Sequence, residues 1–228
     1  MGTWDYYGKH DPYYGVLTYD QFRTGTLDAA AREKFFASGV EVVDSFIAAA
    51  EAAFGSVRKN VALDYGCGVG RLTRPLSERF QQVIGVDISS SMLDEARRNL
   101  ADRQHVTFEL AASQSNRSVD FVLSKIVFQH IPPREATRIL GQLAGRLTPG
   151  GVGILDLPVR YTSGKLRRVL SAVRTMLPSR EPVIPLHIHD LRGIDEALRR
   201  AGCETRHQLS QTPMFEKAVV IFRRNRVS

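Results

Sequence analysis

One stretch constrains the whole chain: residues 60–100, NVALDYGCGVGRLTRPLSERFQQVIGVDISSSMLDEARRNL. The apolar run from Val61 to Tyr65 is bounded by Gly66, Gly68 and Gly70, which predicts a buried strand running into a tight turn. A helix is expected from Arg71 to Arg79, then a second strand from Val83 to Val86 ending on Asp87, and a further helix from Ser90. That order is a βαβ unit, with a nucleotide-type site at the carboxyl ends of its strands. The glycines let the backbone turn sharply and approach a ligand where a Cβ would intrude. Asp87 stands about 20 residues beyond the first glycine, where an acid at a strand tip can accept from both ribose hydroxyls.

The residues beside the glycines decide which nucleoside fits. A dinucleotide site uses G-x-G-x-x-G/A so that a helix N-terminus meets a pyrophosphate. Here the spacing is G-x-G-x-G, and Arg71 takes the place of the third dinucleotide glycine. Asp64, two residues before the first glycine, would repel a pyrophosphate. The same carboxylate suits a phosphate-free ligand bearing an ammonium and a sulfonium, and S-adenosylmethionine is such a ligand.

LDYGCGVGR followed by GVDISSSMLDEAR resembles the first two motifs of the class I S-adenosylmethionine-dependent methyltransferases, of the small-molecule type found in quinone and natural-product pathways. The likeness runs from about Val57 to Leu157 and is looser outside it. It implies an α/β fold, a Rossmann-like doubly wound seven-stranded sheet in the order 3-2-1-4-5-7-6, with the last strand antiparallel and helices on both faces. It also implies a cofactor site at Asp64, Gly66, Cys67, Gly68, Gly70, Arg71, Asp87, Ile88 and Met92. The chain divides into an N-terminal flap with covering helices (1–56) and a methyltransferase domain (57–228) carrying a basic substrate-cap insertion at about 158–189.

The 228 residues, 43% hydrophobic and 24% charged, suit one domain with a sizeable core. No apolar run approaches the ~18–20 residues of a membrane span, and the N-terminus lacks the basic and apolar regions of a secretory signal. The two cysteines, Cys67 and Cys203, suggest no disulfide framework, so a reducing cytoplasm is expected. The net charge of +7 is compatible with nucleic acid, a membrane surface or an anionic small substrate, or with solubility alone.

Residues 1–26 are rich in tyrosine and lack a clear period, which suggests either a flap over a site or a segment packed on the body. By resemblance such a flap closes over the cofactor, which makes Tyr14 and Arg23 candidates there; Arg23 is suited to pair with a cofactor carboxylate. Leu27 to Phe54 reads as helix, with Gly39 a possible break between two. His105 to Leu110 is the third expected strand. The loop after it, where relatives often hold an acid against the adenine, has none, which leaves Ser113, Gln114 or backbone groups for that contact. Ser118 to Ser124 is the fourth strand, and Ser124 to His130, with Lys125, should line the pocket between cofactor and substrate. A helix from Glu135 to Leu147, a turn at LTPGG and a fifth strand from Val152 to Leu157 follow. Val169, Val173, Met176 and Leu177 have the spacing of a short amphipathic helix within the basic stretch. A helix from Asp190 to Ala201 precedes two final strands, Cys203 to Leu209 and Phe215 to Phe222.

Methyl transfer is an in-line displacement at an activated carbon, so holding the acceptor in line supplies much of the catalysis. A hydroxyl or acidic carbon acceptor also needs a base near neutral pKa. His130, His187 and His189 are the candidates; His130 has an architectural alternative, and either His187 or His189 is expected to face the substrate. No residue pattern completes a metal site around that pair, and Asp190 reads as a helix N-cap. Cys67 lies near a helix N-terminus, which could lower its pKa. The leading expectation is methyl transfer from S-adenosylmethionine, leaving S-adenosylhomocysteine, to an oxygen, nitrogen or carbon of a small and possibly acidic molecule. The alternatives are an RNA or DNA methyltransferase, disfavoured because SKIVFQHIPP replaces the [D/N]-P-P-[Y/F] that grips a flipped base, an NAD(P)-dependent oxidoreductase, disfavoured by Asp64 and Arg71, and a non-catalytic cofactor-binding subunit.

Overall fold

A computed structural model describes residues 2–162 and 181–226. Seven strands, β1 (Val61–Tyr65), β2 (Gln82–Asp87), β3 (Val106–Leu110), β4 (Val119–Ser124), β5 (Leu147–Tyr161), β6 (Cys203–Gln211) and β7 (Phe215–Arg224), form one sheet in the order β3-β2-β1-β4-β5-β7-β6. β1 to β5 are parallel, and β7 is antiparallel to both β5 and β6. This is the expected topology. The central strands are apolar on both faces, as a sheet covered on both sides requires. Ala62, Phe121, Leu123, Ile154 and Ile221 pack one way, against Val43, Phe46 and Ala50 of helix α3 (Ala29–Phe54). Leu63, Val122, Leu155, Val220 and Phe222 pack the other way. They meet Leu140 and Leu143 of α6 (Pro133–Arg146) and Leu198 of α7 (Leu191–Arg200).

The helix boundaries follow local chemistry. Asp28 and Asp190 cap α3 and α7 through their side chains, accepting from Ala31 N and from Arg192 and Gly193 N. Ser89 caps α5 (Ser90–Asn99) by accepting from Met92 N. Such caps satisfy amides that the first helical turn leaves unpaired.

The segment before Leu27, which shows no clear period, folds as α1 (Thr3–His10), α2 (Pro12–Val16) and a 3-10 turn at Asp20–Phe22. Three expectations need correction. Gly39 does not break α3; a Cβ there would lie 2.4 Å from the carbonyl oxygen of Arg71, so glycine is present to let the helix meet the turn after β1. The helix after the glycines is only α4 (Thr73–Ser77), because residues 66–72 complete the turn first. LTPGG is not a free turn but a bulge within β5, where the pairing with β4 slips between Val119 and Phe121 and Gly150 takes φ 77°. The expected amphipathic helix at Val169 to Leu177, with Lys165, Arg167, Arg168, Arg174 and Arg180, lies outside the described residues. Among the described residues no helix is long and apolar enough to cross a membrane.

Candidate functional site

The carboxyl ends of β1, β2 and β4 open into a cavity of about 860 Å³, within the range of small-molecule sites. Its floor is the glycine turn. Gly66 and Gly68 adopt φ 77° and 54°, and a Cβ on either would strike Val127 or Val16 at under 3 Å. The amides of Gly66 and Cys67 both donate to Val86 O, at 2.7 and 3.0 Å, so β2 fixes the turn's shape. Asp87 ties the other side: one carboxylate oxygen accepts from Gly68 N and the other from Ser89 N, both at 2.9 Å. Each oxygen keeps a lone pair, and the residue lines the cavity. Burial holds the Asp87 carboxyl above its ordinary range.

Asp64 lies beneath the turn, 1% exposed, accepting from the Thr73 hydroxyl at 2.7 Å. Burial pushes it up to about 6, against the pull of Thr73 and Arg71. Arg71 is also buried, with Nη1 donating to Ser38 at 3.2 Å and Nε without a partner. Burial pushes its pKa down. A buried carboxylate, a buried guanidinium with an unanswered N–H and a cradle too tight for a Cβ fit a ligand bearing both ammonium and carboxylate.

Most of the expected residues converge on this cavity: Asp64, Gly66, Cys67, Gly68, Arg71, Asp87, Ile88, Met92, Lys125 and His130 all line it. Others do not. Gly70 faces Leu100 behind the turn, and its role is conformational, at φ 89°. After β3 the cavity is lined by Ala111, Ala112 and Gln114, with Ser113 left out. Tyr14 lies under the Arg23 guanidinium, 3.7 Å from its ring centre. Arg23 is committed to Glu181, at 2.8 and 3.2 Å, and to Asp11 at 3.0 Å, so it is not directed at a cofactor. Trp4, Gly15 and Val16 reach the cavity from the N-terminal helices instead. Burial drives the Cys67 thiol well above its ordinary value, the reverse of the helix-terminus expectation.

The three histidines separate. His189 is 1% exposed with Nε2 held at 2.8 Å from Phe128 O, and it does not line the cavity. His187 is half-buried and outside the cavity lining; its backbone amide donates to Gln129 O at 2.7 Å. Neither member of this pair, expected to face the substrate, is among the residues that line the cavity. His130 lines the cavity, with Nδ1 2.6 Å from Pro185 O. A carbonyl can only accept, so Nδ1 carries the proton and the Nε2 lone pair faces the Gln129 amide nitrogen at 3.1 Å. Burial lowers the His130 pKa, with smaller pushes in the same direction from His187 and Lys217.

Asp156 and Lys217 escaped the sequence reading. Each sits in an ordinary strand, and only the β5–β7 register brings them to the end of β4. Arg146 was also missed. It is buried, donates to Arg117 O at 3.0 Å and Gln114 Oε1 at 2.8 Å, and so holds the crossover from β3 to β4 in place.

Residues 62–151 match the model of a methyltransferase domain family. The chain is 36% identical over 101 residues to a trans-aconitate 2-methyltransferase of Azoarcus sp. (strain BH72), covering 43% of this chain and 39% of that protein. It is 27% identical over 169 residues to the trans-aconitate 2-methyltransferase of Variovorax paradoxus (strain S110), covering 70% and 64%. It thus spans between about two fifths and two thirds of these curated relatives. The crystal structure of magnesium protoporphyrin IX methyltransferase from Synechocystis PCC 6803 with bound SAH superposes with a TM-score of 0.62 at 24% identity, over 94% of this chain and 98% of that one. That likeness is one of fold.

Proposed function

We propose that this chain, whose fold and motifs are those of the class I S-adenosylmethionine-dependent methyltransferases, transfers a methyl group from S-adenosylmethionine to a small-molecule acceptor. The observation that carries the reading is the meeting of Asp64, Asp87 and the glycine turn on one cavity. When bound, the cofactor supplies a methyl group on an electrophilic sulfonium. The residues present fit it. The free lone pairs of Asp87 are set to accept from ribose hydroxyls, Asp64 supplies negative charge for an ammonium, and Arg71 supplies an N–H for a carboxylate. Ala112 and Gln114 border the adenine end, and Lys125 and His130 border the end where an acceptor enters. Residues 1–56 act as the cover and residues 158–189 as the substrate cap. An acidic acceptor agrees with the named activity of the trans-aconitate relatives. A reducing cytoplasm agrees with two buried, unpaired cysteines.

Isothermal titration with S-adenosylmethionine, S-adenosylhomocysteine and NADH tests this. Micromolar binding of the first two and none of the third is expected. Binding of NADH alone would move the chain to the oxidoreductases.

A further inference from the structure

The base end of the cavity is short of hydrogen-bond acceptors. Its lining there comes from Ala111, Ala112, Gln114 and Asn116 after β3 and from Gln142 and Arg146 on α6. None of these is an acid. Glu109, the carboxylate whose charge reaches the Arg146 guanidinium, accepts from Ser115 N at 2.7 Å and Ser115 Oγ at 2.9 Å, and it does not line the cavity. The acids that do line it are committed elsewhere. Asp64 is held by Thr73, Asp87 by the amides of Gly68 and Ser89, and Glu135 by Arg138.

Arg146 decides which end of the Gln114 amide can meet a base. It is 7% exposed, and its Nε is fixed by Arg117 O at 3.0 Å. Nη1 donates to Gln114 Oε1 at 2.8 Å. A guanidinium has only donors, so the amide oxygen must face it and the amide nitrogen must face away. Gln114 Nε2 lies 3.3 Å from Ala111 O, which takes one of its two N–H groups and leaves the other. Arg146 Nη2 has no partner, so its charge is left to polarise the amide, which strengthens the remaining N–H as a donor. Asn116 and Gln142 are exposed amides that can present either end, and they select no base.

We propose that Gln114, oriented by Arg146, reads the base of the cofactor as a donor, and that the site therefore takes a 6-oxopurine cofactor as well as the adenine one. This rests on the methyltransferase reading above, which puts the base beside Ala112 and Gln114. Adenine offers a ring nitrogen to a donor, and a 6-oxopurine offers its O6. A site that sets a carboxylate against the 6-amine rejects the oxo base, because two acceptors then face each other unpaired. Among the described residues no carboxylate lines this end of the cavity to supply that rejection. Arg146 acts through Gln114 and is a positioning residue.

The test titrates the full chain with S-adenosylhomocysteine and with S-inosylhomocysteine, its deaminated 6-oxo analogue. The wild type is expected to bind the two within about tenfold of each other. Gln114→Glu, which puts an acceptor where the amide N–H stands, should shift that ratio by about tenfold or more towards the adenine compound. Arg146→Met, which frees the amide to turn its oxygen to the base, should shift the ratio the same way by a smaller factor, whereas a merely structural loss would weaken both compounds alike. Rejection of S-inosylhomocysteine by the wild type by more than about tenfold would overturn the proposal, as would a Gln114→Glu protein that keeps the wild-type ratio. If the wild type binds neither compound, the cofactor reading fails instead.

Discussion

Asp64 is a carboxylate enclosed by protein, and its titration links the cofactor to pH. Burial raises its pKa from 3.8 to about 6, so the folded apo protein binds a proton that the unfolded chain has released. Its stability therefore declines as pH rises from 3.8 towards 6 and stays at the lower level above that window. Asp64→Asn is expected to raise stability above pH 6 by about 1–3 kcal/mol in urea melts while weakening S-adenosylmethionine binding. A cationic ligand stabilises the ionised form, so binding near pH 6 should release a proton and affinity should fall below it. Calorimetry in two buffers of different ionisation enthalpy would detect that proton, and a pH-independent affinity would contradict the role. These acids were legible in the sequence because their meaning comes from spacing to the glycines. Arg23 was not: its side chain has acids from three different segments within reach, and only the fold assigns it to Asp11 and Glu181. For His187 and His189 the limit is the same, since two-residue alternation in a segment outside the sheet does not fix what lies on either side.

Among the elements, α3 shows tertiary packing overriding local helix propensity. Gly39 looked like an interruption, yet the helix runs through it and uses the missing side chain to pack on Arg71. Gly39→Ala removes a residue with poor helix propensity, but its Cβ would meet backbone. A net loss of about 1–3 kcal/mol is expected in urea denaturation, together with weaker cofactor binding because the turn carrying Arg71 must shift. A gain in stability would contradict this packing role. Strands are easier to read than helices here, because β1, β2 and β4 are short, largely apolar runs followed by glycine or ended near a charged residue. The bulge in β5 depends on pairing with β4, a long-range contact that no local pattern encodes.

Across the whole molecule, the N-terminal helices and residues 181–189 lock together over the site. Tyr7 donates to Pro182 O at 3.0 Å, Arg23 pairs with Glu181, and His130 meets Pro185 O. Such partly exposed ion pairs contribute about 0–1 kcal/mol, so Arg23→Ala should barely change global stability. It should nevertheless increase amide exchange in residues 3–22 and speed cofactor release several-fold; unchanged exchange there would show that the pair does not hold the cover. The central claim is that the glycine turn, Asp64 and Asp87 form a site for S-adenosylmethionine. A crystal structure with S-adenosylhomocysteine tests it most directly. The account predicts the ribose hydroxyls on Asp87, the adenine beside Ala112 and the amino-acid end over Asp64 and Arg71; the ligand elsewhere, or excluded from this cavity by the N-terminal helices, would contradict it.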